Sequence, residues 1–159
     1  MMIPSLGNRR PHTRGASDRG AALVETAIVA PILFLMIFGI IEFGLLFGVK
    51  LDVSQGAREG SRLAAVNYQD TGVVGATQTT EIVAATCARM ELADSSVITI
   101  SLPTTSAIGE IVQVTIATPA EPITGVFDPW LAGMQVTSTV QTRLEQVATY
   151  VATSEEACP

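Results

Sequence analysis

Histidine occurs once in this chain, at His12, and lysine once, at Lys50. A single histidine excludes a histidine-based triad and a multi-histidine metal site in any folded part. With one lysine, no glycine-rich loop carries the cation that grips a phosphate. Charged residues make up only 15% of the chain and the net charge is −6, which argues against nucleic acid, a partner that wants a basic patch. Glu91, Asp94, Glu110 and Asp128 are scattered, as on a solvated acidic surface rather than in an acid–base pair or a calcium cage. Ser61 and Ser101 have no evident base. No catalytic site, metal or cofactor is expected.

What charge there is lies unevenly. Residues 1–20 hold Arg9, Arg10, Arg14 and Arg19 against Asp18, a balance of +3, while the remainder carries −9. An uncharged apolar run follows the arginines from Thr26 to Ile41, and Phe43 to Val49 extends it. Together they reach the roughly 20 residues that cross a bilayer. Arginines next to a span mark its cytoplasmic side, so the expected orientation is N-terminus in, C-terminus out. A cleaved secretory signal would have a shorter apolar core and a small-residue cut site, which Val49-Lys50-Leu51 does not offer. Pro31 is tolerable in a membrane helix where neighbours satisfy the freed carbonyl.

Glu25 stands inside this membrane segment, five residues after Gly20. A charge at a helix centre in lipid costs roughly 2.5–3.5 kcal/mol or more, so a partner for it is expected. Glycine followed by glutamate at the fifth position, behind a basic leader, resembles the processing site of type IV prepilins. The blocks Arg19-Gly20, Val24-Glu25, Pro31, Phe38-Gly39-Ile40-Ile41-Glu42-Phe43-Gly44 and Ala57-Arg58-Glu59-Gly60-Ser61-Arg62-Leu63-Ala64-Ala65 sharpen this. Residues 19–66 resemble the TadE-like family, the minor pseudopilins of the tight-adherence (Flp) pilus. The resemblance implies cleavage between Gly20 and Ala21 by a prepilin peptidase. It also implies a role for Glu25 in assembly, pairing with the new amino group at Ala21 of a neighbouring subunit.

Past the membrane the helix is expected to continue to about residue 67, where Asn67 and Asp70-Thr71-Gly72 supply stop and turn signals. Val53, Ala57, Leu63 and Ala64 keep an apolar stripe, while Arg58, Glu59 and Arg62 keep the other side wet. Such a spine is on the order of 70 Å long at 1.5 Å per residue. Gly44, Gly48, Gly56 and Gly60 recur along it at a four-residue rhythm, with Asp52 interrupting. Small residues at that spacing allow close helix approach in membranes. Glu42 falls near the outer interface, where a headgroup-level carboxylate and an interhelical contact are equally open.

The rest reads as an α+β head. Residues 77–91 place Val83, Cys87 and Met90 on one helix face. Residues 97–102, 110–117 and 134–144 alternate as strands, the last with Met134, Val136, Val140 and Leu144 inward. This predicts a three-stranded antiparallel meander, with room for a fourth strand, in a pilin-like arrangement. Between the last two strands lies an oddly apolar connection containing Ile123, Val126, Phe127, Trp130 and Leu131. Phe127 and Trp130 either anchor a partner or fold back over the sheet or spine. Cys87 and Cys158 both fall on the outer side, where two cysteines more often pair than stay free. The alternative is a buried Cys87, with Cys158 free or linked to another chain.

Four parts are thus expected: a leader at 1–20, a membrane span at 21–49, an extracytoplasmic spine at 50–67 and a head with its tail at 77–159. The expected function is structural, in the assembly or priming of a Flp-type pilus. Its expected partners are other pilins and pseudopilins, the prepilin peptidase, the assembly platform and membrane lipid. The alternative is a membrane-anchored binding domain that never polymerises.

Overall fold

The computed structural model describes residues 15–93 and 95–158. The leader residues Arg9, Arg10, His12 and Arg14, and also Asp94, lie outside the described residues. The chain divides between Gly39 and Ile40 into two units. The first consists of the early part of one helix, α1 (Gly15–Ala65), and the second holds the rest of α1 and the head. Pro31 lies inside α1 without ending it.

In the second unit α1 closes on a residue suited to that task. Asn67 takes a left-handed conformation, φ 54°, the one non-glycine residue with positive φ among those described. Asn67 N donates to Ala64 O and Tyr68 N to Leu63 O, the paired bonds of a Schellman ending. The Asn67 side chain then accepts from Thr149 N at 2.9 Å and from Gln78 Nε2 at 3.0 Å. The same residue that stops the spine therefore fastens the head to it.

Helix α2 (Ala76–Cys87) follows. It stops short of the expected residue 91 because its last turn tightens: Arg89 N bonds to Thr86 O and Met90 N to Cys87 O. Four strands complete the head: β1 (Val97–Ser101), β2 (Ile111–Pro119), β3 (Gln135–Arg143) and β4 (Thr153–Ala157). A single turn of helix, α3 (Asp128–Leu131), interrupts the β2–β3 connection. The sheet order is β3-β2-β1-β4, with all pairings antiparallel. Three strands form the meander and the fourth returns beside the first, which is Greek-key order.

One face of the sheet is the core. Ile98, Ile100, Val112, Val114 and Ile116 are buried there with Val53, Ala57 and Ala64 of α1 and Ile82 and Val83 of α2. The opposite face is polar: Thr115 and Thr139 share a hydrogen bond of 3.0 Å, and Gln141 donates to Gln113 at 2.7 Å. Met134, expected inward, is exposed. It precedes the edge strand β3, and its main chain instead closes the connection, with Ala120 N donating to Met134 O at 2.9 Å.

Candidate functional site

Through its first unit α1 offers aliphatic side chains to its surroundings on all sides: Leu23, Val24, Ile28, Val29, Ile32 and Leu33 are all exposed. It is the one helix among the described residues long and apolar enough to cross a membrane. Gly20, Ala21 and Glu25 are helical and exposed. Among the described residues Glu25 makes no hydrogen bond or ion pair. Its neighbour Thr26 turns its hydroxyl back onto Ala22 O, at 2.8 Å. The carboxylate is thus presented outward from an apolar shaft.

Glu42 behaves in the opposite way. It is 1% exposed although apolar residues flank it on both sides. Its carboxylate accepts three hydrogen bonds from the β2–β3 connection. Ile123 N donates at 2.8 Å, Thr124 N at 3.1 Å and Thr124 Oγ1 at 2.6 Å. A carboxylate buried without such donors would be strongly disfavoured. Neither a headgroup contact nor an interhelical one describes Glu42: its partner is a loop of its own head. The sequence carries no local signal for this pairing, since the donors lie some eighty residues downstream and two of them are main-chain groups.

Two more charged side chains of α1 hold main-chain groups of the head. Asp52 Oδ2 accepts from Leu92 N at 2.8 Å, after α2, and Lys50 Nζ donates to Thr137 O on the edge strand β3. Aromatic contacts continue the clamp. Phe127 lies 5.8 Å from the ring of Phe43, and Trp130 lies 6.2 Å from Phe127. Phe127 is half-buried in this way, whereas Trp130 is 71% exposed. A cleft of about 280 Å³ opens between these parts, lined by Glu42, Leu45, Leu46, Val49, Leu92 and Ile123 among others.

The glycine rhythm meets different surroundings along α1. A side chain at Gly44 would meet nothing within 4 Å, and one at Gly48 would touch only Leu92, at 3.4 Å. At Gly56 a Cβ would stand 2.5 Å from Met90 Sδ and 3.2 Å from Ile116 Cδ1. At Gly60 it would stand 3.0 Å from Thr86. Gly56 and Gly60 thus let α2 and the sheet approach the spine within one chain, while Gly44 leaves an open notch.

A disulfide joins Cys87, at the end of α2, to Cys158, with their Cα atoms 5.6 Å apart. Cys158 N also donates to Ser96 O at 3.0 Å, which holds the tail beside the start of β1. Among the described residues no cluster of three or more histidine, cysteine or carboxylate side chains could hold a metal.

The chain thus carries an outward carboxylate five residues after a glycine, on a membrane-length helix that continues into an α+β head. Residues 20–62 match the family model of TadE-like proteins. The match covers Gly20, Glu25, Glu42 and all four spine glycines, and it stops before the head. This TadE-like segment points to the tight-adherence pilus system and to pilus machinery in general as its setting. No curated protein and no solved structure matches the chain. The head is therefore characterised by its own geometry.

Proposed function

We propose that this chain is a minor pseudopilin of the tight-adherence (Flp) pilus, anchored by α1 and cut between Gly20 and Ala21 by a prepilin peptidase. The observation that carries this reading is Glu25, an outward carboxylate within the TadE-like segment that has no partner in its own chain among the described residues. Cleavage after Gly20 creates an α-amino group at Ala21. On a neighbouring subunit that cation pairs with Glu25, each charge offsets the other's burial, and the pair fixes the axial register of the two helices. The N-terminus lies on the cytoplasmic side, where the arginines are retained. Other pilins and pseudopilins, the assembly platform and membrane lipid are its partners.

Mass spectrometry of the membrane fraction tests the cleavage. The mature protein should begin at Ala21, and Gly20→Phe should abolish that species because the peptidase has no room for a side chain there. Mature Ala21 termini in the Gly20→Phe protein would refute the site. The assembly role is tested separately. Glu25→Ala should give a processed, membrane-resident protein that no longer crosslinks to other pilus subunits, and unchanged crosslinking would refute the salt bridge.

A further inference from the structure

The β2–β3 connection carries more exposed apolar surface than a soluble loop requires. Ile123 is 70% exposed, and Val126, Trp130 and Met134 are also open. Scattered single exposures are ordinary, but these fall together in one connection, and the Trp130 ring lies against that of Phe127. The position of the loop on the molecule is fixed by the chain itself. Glu42 takes two of its main-chain N–H groups, and Phe43 takes Phe127.

Glu42 and Phe43 occupy a definite place along the span. A minimal span of roughly twenty residues counted from Ala22 closes at Ile41, where the uncharged run ends inside the 21–49 segment read as the membrane part. The next two residues are those that hold the loop. Within the second unit, Ile40, Ile41, Phe43 and Phe47 are exposed on α1, and Ile123, Val126 and Trp130 are exposed on the loop fastened to it. Within this unit the apolar surface of α1 from Ile40 to Phe47 thus continues, through the Phe43–Phe127–Trp130 ring contacts, onto the loop. Tryptophan at that level is the residue type favoured at a membrane–water boundary, with an apolar ring and one N–H donor.

We propose that the β2–β3 connection is a second membrane contact, with Ile123, Val126 and Trp130 seated in the headgroup–acyl boundary where α1 emerges on the head side. The proposal rests on α1 being a membrane anchor and is independent of cleavage at Gly20 or assembly through Glu25. The contact is apolar rather than electrostatic. Glu121 and Asp128 are the charged residues of the connection, and no lysine or arginine lies between Pro119 and Gln135, so anionic lipid is not needed. It leaves the head tethered at two points, the helix and the loop, and so limits its tilt over the bilayer.

Trp130 is the only tryptophan in the chain, so its fluorescence reports on this loop alone. The full chain is reconstituted at low protein-to-lipid ratio into phosphatidylcholine vesicles whose acyl chains are brominated near the headgroup, with aqueous iodide as the opposing quencher on both sides. The expected result is blue-shifted emission, quenched by the brominated lipid and protected from iodide. Iodide quenching like that of a free indole, without bromine quenching, overturns the proposal. Blue-shifted emission without bromine quenching also overturns it, because protein rather than lipid then covers the ring. Extraction of the chain by alkaline carbonate would overturn the anchor and this contact together. Retention in the membrane with iodide-quenched Trp130 would overturn this contact alone.

Discussion

The two ends of α1 are built from apolar residues, yet they present them in opposite ways. From Leu23 to Ile37 the apolar side chains are mostly large, aliphatic or aromatic, and these large ones are all exposed. From Val53 to Ala65 the apolar positions are mostly small, Val53, Ala57, Ala64 and Ala65 with Gly56 and Gly60, and all of these are buried. The difference lies less in hydrophobicity than in size and in the presence of a polar face. Arg58, Glu59 and Arg62 give the later part a wet side, and Arg62 bonds Glu59 at 2.7 Å. A helix that is apolar on every side needs lipid around it. A helix with a narrow stripe of small residues admits a sheet and a second helix at close range.

Substitutions on the two sides of this divide should behave differently, with unfolding of the head in micelles as the common readout. Ile116→Ala removes a fully buried side chain packed against the spine and should cost about 2–5 kcal/mol. Leu33→Ala, on the exposed part of α1, should change head stability by less than about 0.5 kcal/mol. A large effect at Leu33 would break the comparison, since it would mean that the exposed apolar part supports the head.

Loss of the disulfide comes next. Cys87 and Cys158 are 71 residues apart, and a loop of that length predicts about 4 kcal/mol or less for Cys158→Ala. The loss should be seen as faster hydrogen exchange in β4 and β1. Unchanged exchange would show that strand pairing alone holds the tail.

The glycines sharpen the contrast further. Gly56→Leu must displace Met90 and press on Ile116, for a cost of about 1–3 kcal/mol. Gly44→Ala meets open space and should be neutral, or improve helix propensity by up to about 1 kcal/mol. If Gly44→Ala instead reduces crosslinking between chains while the head stays intact, the notch at Gly44 is a contact for a neighbouring helix.

The smallest effect concerns acid. Glu81 accepts from Thr71 Oγ1 and from Asp70 N, and these bonds hold its carboxyl below its ordinary value of 4.5. A lowered folded-state value means that the stabilisation is present above about pH 4.5 and fades as pH falls through the folded value. Glu81→Gln should flatten the acid limb of the head's stability curve slightly. An unaltered acid limb would assign acid sensitivity elsewhere, with Glu59, lowered by Arg62, the next group to replace.

Much of this architecture is legible in the sequence, because its periodicities are strong. The long apolar run, the α2 pattern and the alternation in β1 to β3 each have one dominant period, and the α+β fold follows from them. Strand β4 is harder to read. Thr153-Ser154-Glu155-Glu156-Ala157 has no apolar alternation, because it is an edge strand held by main-chain pairing to β1. Met134 misled for a related reason: periodicity continues past the point where the chain leaves the sheet. At the candidate site, Gly20 and Glu25 stand out by spacing. Glu42 does not, since its donors lie some eighty residues later and two of them are main-chain groups. No local pattern records a bond to a backbone N–H.

That choice of bond has a consequence for how the molecule can change. Glu42 lies within the TadE-like segment, residues 20–62, whereas the loop it grips lies beyond it. Asp52 likewise takes Leu92 N, and Lys50 takes Thr137 O. Apart from the Thr124 hydroxyl on Glu42, these contacts read the polypeptide rather than a particular side chain, and every residue except proline supplies both groups. At these three places the spine asks little of the head's side-chain chemistry, while Gly56 and Gly60 ask for a close fit. The outer surface of the head is therefore free to vary so long as its main chain meets Glu42, Lys50 and Asp52 and its core still fits against Gly56 and Gly60.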